Sequence, residues 1–501
     1  MFVVSFRVSF SPSQRRKVRA RFNTGTALYN AALREAFDRA ARMRADARWL
    51  RARELGKDET RRAKLFNAAR DEAGFTKTGL MSFGSRLRVG WLRDGVAAQE
   101  AQHLAATAFG AVAEWVYGVR GRPRFKPMRR GIRSMSSKDT LGALRLAACG
   151  RRLQWGAGFT AALVVDPDNP VHTHGLAAID AGKVLSVRLV RRTVNGREYY
   201  DAQLVCDGKP LQRYETRDGV VGLDLGPSMV AVVSDDGVFL ERFCDQLDAN
   251  QAQVRRLQRK LDRQHRAGSP RCFDRQSRHG KGRCEWSRSG QATITAARLA
   301  EEHRRQAAHR KNLHGNLVNR VLAQSATLRV ENLSKVAWQK NFGRSVAFRA
   351  PGMFETLLIR KAENADGTAT KINAYRARLS QTCVCGAIRK KPLSLRVHHC
   401  PCGMVEQRDI WSAFLARHST GQAPDLAAAR TELRDRHDIG GAPRSWSANL
   451  RVPAAVPRQL LVPAAAGRAG GAERATTGVI PAPRQRGGSG GVRGGSRSLA
   501  L

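Results

Sequence analysis

Acidic residues are scarce: 42 Asp and Glu stand against 88 Lys and Arg, leaving a formal charge of +46 over 501 residues. A folded chain with that excess repels itself, so the imbalance implies a polyanionic partner, nucleic acid above all. Long hydrophobic runs are missing too. No stretch reaches about 18 apolar residues, which excludes a membrane-spanning helix. The N-terminus lacks the basic start, apolar block and cleavage site of a secretory signal. Nine cysteines, an odd number, argue against a disulfide scaffold and for a reducing cytoplasm. What remains is substantial: 42% hydrophobic residues are enough for roughly three domains of about 150 residues, each with its own core.

The chain begins with strict alternation. Phe2, Val4, Phe6, Val8 and Phe10 fall on one face, predicting a half-buried strand over 2–10. Ser11-Pro12-Ser13-Gln14 then reads as a helix start with a capping box. The helical period runs through 11–119, with a break near Gly74–Gly84 and Asp94 as a candidate cap for the last helix. From about 120 to 215 the pattern becomes short alternating runs with an Asn195-Gly196 hairpin turn. This texture predicts a small β-barrel, completed by residues 1–10 and split by the helical insertion. A new apolar strand set begins near 219. It is followed by Arg-rich helical stretches at about 246–266 and 292–325, a strand at 327–331 and a helix near 353–364. Beyond 419, Gly, Pro, Ala and Arg dominate and lysine is absent, predicting a disordered basic tail.

Three carboxylates stand out by context. Asp224 lies in Val221-Gly-Leu-Asp-Leu-Gly226, where alternation puts Gly222, Asp224 and Gly226 on one face. An acid there is costly to bury unless a cation meets it, and the glycines clear space for a ligand or another backbone. Glu331 ends a short strand, and Asp409 leads the helical run Ile410-Trp-Ser-Ala-Phe-Leu415. Taken singly they read as an edge-strand acid, a strand-end acid and a helix cap. Their order is that in which an RNase H-like sheet assembles a Mg²⁺ site. Hard cations take oxygen ligands, and two of them can activate water and stabilise the leaving oxygen.

Cys383-Val-Cys385-Gly and Cys400-Pro-Cys402-Gly form two knuckles separated by fourteen residues. Such a group favours structural zinc over disulfides. Each knuckle has one intervening residue where two or more are common, so His398 or His399 stands as an alternative ligand. Cys149, Cys206 and Cys244 read as packing residues, and Cys272 and Cys284 have no assigned role.

Gly222-Leu-Asp-Leu-Gly226, Val330-Glu-Asn332, Leu379-Ser-Gln-Thr-Cys383, and Cys402-Gly403 through Arg408-Asp409 together resemble the TnpB (OrfB) family. These are transposon-encoded RNA-guided endonucleases related to type V CRISPR effectors, and the resemblance spans roughly residues 1–418. It implies an α/β and α+β multidomain chain. A wedge-like β-barrel (1–10 and 120–215) would carry a helical recognition insertion (11–119). A RuvC-like nuclease domain (216–382 and 404–418) would hold a zinc-binding insert (383–403) and precede the tail (419–501). It implies Asp224, Glu331 and Asp409 as catalytic ligands of two Mg²⁺ ions, and Cys383, Cys385, Cys400 and Cys402 as ligands of Zn²⁺. The implied partners are a guide RNA and target DNA, met at the nucleoid of a prokaryotic cytoplasm and not at a membrane. The oligomeric state is left open. The implied reaction is metal-dependent DNA cleavage, with a nuclease-inactive RNA-guided repressor as the alternative.

Overall fold

The computed structural model describes residues 1–438 apart from 57–58, 138–140, 157, 274–286 and 393. The opening alternation forms β1 (Phe2–Ser9), whose even-numbered side chains are buried. Ser11 then caps α1 (Pro12–Ala45). Its hydroxyl accepts from Gln14 N, and Gln14 Oε1 accepts from Ser11 N at 3.0 Å, so the capping box closes as predicted. Five further helices follow before the chain returns to strand: α2 (Ala47–Glu54), α3 (Thr60–Glu72), α4 (Lys77–Arg86), α5 (Trp91–Gly95) and α6 (Ala98–Val116). Asp94 falls inside α5, and the cap position of α6 is Ala97, whose N–H is accepted by Glu100 at 3.0 Å. The expected Asp94 cap is thus replaced by a reach back from within the helix.

The returning chain contributes β2 (Ser134–Ser136), β3 (Leu144–Leu146), β4 (Arg152–Trp155) and β5 (Thr160–Val164). After helix α7 (Pro170–Asp180) come β6 (Val184–Val194) and β7 (Arg197–Cys206). Asn195 and Gly196 both take positive φ, 50° and 74°, as the predicted two-residue hairpin requires. The sheet runs β2-β6-β7-β1-β5-β4-β3, with β1 antiparallel to both neighbours. The expected barrel is therefore corrected to an open seven-stranded sheet. Its two edge strands are three residues each and, among the described residues, no hydrogen-bonded pairing joins them. One continuous core, rich in aromatic rings, spans this sheet and the helices through α6.

The second sheet starts at β8 (Val221–Leu225), β9 (Met229–Val233) and β10 (Val238–Arg242). The Arg-rich helices α8 (Gln251–Gly268) and α9 (Gly290–Leu322) follow, then β11 (Leu328–Glu331). Next come α10 (Lys335–Arg349), α11 (Pro351–Asn364), β12 (Ala369–Ile372) and the short α12 (Ala374–Ala377). The strand order is β10-β9-β8-β11-β12, and β11 is parallel to both β8 and β12. A two-stranded ribbon, β13 (Val397–His399) and β14 (Val405–Gln407), leads into α13 (Arg408–Arg417) and α14 (Leu426–Asp438). Val221, Leu223 and Leu225 pack with α9 and α11 on one face, while the α13 side chains form a separate core on the other.

Two expectations need correction here. Part of the expected disordered tail is the helix α14. Its Ala429 is buried, Glu432 pairs with Arg417 at 2.6 Å, and Arg430 donates to Val384 O at 2.7 Å. Residues 439–501 of that predicted tail lie outside the described residues. Cys272 is disulfide-bonded, which departs from the all-reduced reading, whereas the other seven described cysteines are free thiols. Cys284 lies outside the described residues.

Candidate functional site

The three sequence-predicted carboxylates converge at one end of the second sheet. Register pairs Leu328 with Val221 and Val330 with Leu223. One step further along the same parallel pair stand Glu331 and Asp224, on neighbouring strands. Helix α13 lies across β8 on the face that carries Asp224. A Cβ added at Gly222 would collide with the Ala413 carbonyl and the Arg417 backbone. Of the two openings in the sequence reading, Gly222 thus makes room for a backbone rather than a ligand. That close approach brings Asp409, in the first turn of α13, to the strand carboxylates.

Asp409 is not the cap of its helix. Gln407 takes that role, its Oε1 accepting from Asp409 N at 2.7 Å and Ile410 N at 2.8 Å. The Asp409 carboxylate is left to face outward from the helix end, where it pairs with the Arg396 guanidinium and meets Gln407 Nε2 at 3.4 Å. Arg408 ties the insert down, donating to Pro392 O at 3.0 Å, while its charge still reaches Asp224 and Glu331.

Electrostatics mark the cluster. Burial first, then repulsion from Asp409 and Glu331, pushes the Asp224 carboxyl well above the usual carboxylate range, opposed by the Ser412 hydroxyl and the Arg408 guanidinium. Burial likewise pushes Glu331 up to about 7 against the pull of Arg408 and Lys335. Hard divalent cations take oxygen donors and would relieve this repulsion. Residues Asp224, Glu331 and Asp409 would hold them.

The cysteine knuckles are near copies of one another. Cys383 N donates to Ala387 O and Cys400 N to Met404 O, each at 2.9 Å. Gly386 and Gly403 close the two turns at φ 90° and 92°. All four sulfurs lie within 4.8 Å of one another, with the Cys383–Cys402 and Cys385–Cys400 pairs at 3.6 Å. Tetrahedral thiolates at about 2.3 Å from zinc stand roughly 3.8 Å apart, so the cluster fits a metal such as zinc despite its short spacing. The alternative ligands do not join it. His398 is buried, stacked on Trp411 at 4.8 Å, with Nδ1 against Lys391 Nζ at 2.5 Å, and His399 is exposed. The Ala387 N–H brings the Cys385 thiol down to about 7, while burial pushes the Cys383 thiol well up.

Two positions near the carboxylates escaped the sequence reading: Lys335, the first residue of α10, and Glu355 on α11. Lys335 Nζ pairs with Glu355 Oε2 at 2.8 Å. No spacing rule links them, because the contact depends on how α11 folds back over the strand end. Elsewhere, α8 buries only Val254 and Leu257 and exposes Arg255, Arg256, Arg259, Lys260, Arg263 and Arg266. No helix among the described residues is long and apolar enough to cross a membrane.

Residues 352–415, from α11 through most of α13, match the Cas12f1-like TNB domain family model. Among solved structures, the chain is similar to one in a cryo-EM structure of a Cas12f1–sgRNA–target DNA complex. That likeness covers 82% of this chain and 83% of that one, at 12% identity and a TM-score of 0.48. A CRISPR-Cas12f ternary complex aligns over 80% and 81% at 11% identity, with a TM-score of 0.28. No curated protein matches the chain. The segment match is the one that carries weight: the part of this chain bearing the cysteine cluster, Arg408 and Asp409 is similar to the TNB domain of Cas12f1-like proteins.

Proposed function

We propose that this chain is an RNA-guided DNA endonuclease of the TnpB kind, related to type V CRISPR effectors and encoded by a mobile element. It would cut DNA by Mg²⁺-dependent phosphodiester hydrolysis at Asp224, Glu331 and Asp409. One observation carries the reading. A segment similar to a Cas12f1-like TNB domain ends in a helix laid over a five-stranded sheet, and the acids of that helix and of two parallel strands act on one another's charge.

Bound divalent ions would lower the pKa of the attacking water and stabilise the leaving oxygen. The chain's own part is positional. The β8–β11 pairing would set Asp224 beside Glu331, and Gln407, which caps α13, would orient its first turn so that Asp409 adds a third ligand. The exposed basic face of α8 suits a phosphate backbone, and sequence would be read by base pairing with a guide. Zn²⁺ at Cys383, Cys385, Cys400 and Cys402 would close the insert that carries Arg396.

The test is cleavage by the purified protein with its copurifying RNA and a matched DNA duplex, in Mg²⁺ and in EDTA. Guide-dependent cutting in Mg²⁺ alone is the expected result. Guide-dependent binding without cutting would identify the RNA-guided repressor instead, and the absence of any copurifying RNA would overturn the guided reading.

A further inference from the structure

Glu355 is a buried acid that no part of the proposed reaction uses. It sits one turn into α11 and is 7% exposed. Its Oε2 takes Lys335 Nζ at 2.8 Å and its Oε1 takes Lys371 Nζ at 3.6 Å. Of the two, Lys335 is the one whose charge reaches Glu331. Lys335 follows it by four residues, at the start of α10, and Lys371 on β12 is the register partner of Val330. Lys335 is further constrained: its ammonium donates to Leu333 O at 3.2 Å, lies 5.0 Å from the Trp338 ring centre, and its stem passes over Gly352.

A buried ion pair is a weak source of stability, since desolvation offsets most of its attraction. Fold maintenance alone therefore does not account for a carboxylate here, where an apolar side chain would pack as well. The chemistry next door does. A lysine is a point charge on a flexible stem. Released beside Glu331, it would take that carboxylate as its partner and compete with a cation for the same oxygens.

We infer that Glu355 is a positioning residue of the carboxylate centre, holding the Lys335 ammonium in an ion pair of its own and out of a direct one with Glu331, so leaving Glu331 available to a divalent cation. This inference rests on the reading of Glu331 as a metal ligand. It acts on affinity for the ion, not on the bond broken.

The experiment is Mn²⁺ titration of the full-length protein, followed by the EPR signal of the free ion. Glu331→Gln serves as the reference for ions bound elsewhere, and far-UV CD melts confirm folding. Glu355→Gln should weaken the Glu331-dependent site about tenfold, the low end of the effect of removing a group that supports a metal ligand. Adding Lys335→Met to Glu355→Gln should restore affinity. Lys335→Met alone should bind Mn²⁺ at least as tightly as wild type, and its rescue of Glu355→Gln is the sign that a purely structural role does not give. If Glu331→Gln abolishes the site while Glu355→Gln binds as wild type, or if Lys335→Met fails to restore it, the inference falls and the nuclease reading stands. If Glu331→Gln itself changes nothing, both fall. Should Glu355→Gln not fold, Glu355→Asp, which keeps the charge but shortens its reach to Lys335, takes its place: wild-type Mn²⁺ binding there, or a loss that Lys335→Met does not restore, overturns the inference.

Discussion

The two sheets each bury a glutamate, and they treat it in opposite ways. Under the seven-stranded sheet, Glu100 is 1% exposed, accepts Trp155 Nε1 at 2.6 Å and caps its own helix through Ala97 N. Burial raises its pKa, but every strong neighbour is a donor or a cation. At the end of the five-stranded sheet, Glu331 is 8% exposed; Arg408 and Lys335 oppose the rise that burial gives it, yet together with Asp409 it raises the carboxyl of its neighbour Asp224, which is the acid among acids. A buried acid among donors is a solved structural problem. A buried acid among acids is an unsolved one, and an added cation is the solution the chemistry favours.

The sharpest way to break this contrast is substitution at the site. Asp409→Ala should cut guided DNA cleavage by at least ~10³-fold, as the loss of one catalytic group typically does. Guide and target binding should persist in a gel-shift assay. Asp224→Ala and Glu331→Ala should behave alike. A folded Asp409→Ala protein that cleaves at the normal rate would return this residue to an ordinary first-turn acid. Next in size is the cysteine cluster. Cys400→Ser should remove about one zinc per chain by metal analysis and unfold the insert, since structural zinc contributes on the order of 10 kcal/mol to small sites.

At Glu100 the expected outcome is reversed. Glu100→Ala should lower stability by about 2–3 kcal/mol, because it strands the buried Trp155 donor and removes a cap. Cleavage at permissive temperature should be unchanged. Denaturant melts combined with cleavage assays would show the two glutamates trading places: one needed for folding, the other for chemistry.

How far this was legible beforehand depends on the range of the contacts. The β1 alternation, the Ser11–Gln14 box and the Asn195–Gly196 turn are local, and each formed where the residues dictate. The acid-bearing face of β8 was also readable, because period two separates Asp224 from Leu223 and Leu225. Helix α7 was missed although Asn169-Pro170 is a cap followed by proline, and α10 was missed although Ser334 caps it. The α14 stretch has the same Ala and Arg content as the tail after it; its order comes from Glu432 and Arg430 finding partners on α13 and the cysteine insert. The open sheet replaced a barrel because closure depends on edge strands whose length composition does not reveal.

The smallest expected effect concerns pH, and it too divides the molecule. Glu100 has a folded pKa above its unfolded value, so its region gains stability as pH falls toward 4.5. His314 is 2% exposed and donates Nε2–H to Arg349 O at 2.9 Å; burial, aided by Arg310, lowers its pKa below 6.5. Its contribution is complete above pH 6.5 and is lost as pH drops toward the folded pKa, at up to ~1.4 kcal/mol per pH unit. Hydrogen exchange at pH 7 and pH 5.5, corrected for intrinsic rates, should show α9 loosening while α6 does not. Equal loosening of both would erase the distinction.

Gly222 has a genetic consequence. Any side chain there must push α13 away from β8, and α13 carries Asp409. A single missense change at that codon would therefore leave all three acids in the sequence while moving Asp409 off the strand that carries Asp224. If the proposed nuclease reading holds, silencing a cutter into a binder would need no loss of a carboxylate; one methyl group between a strand and a helix would be enough.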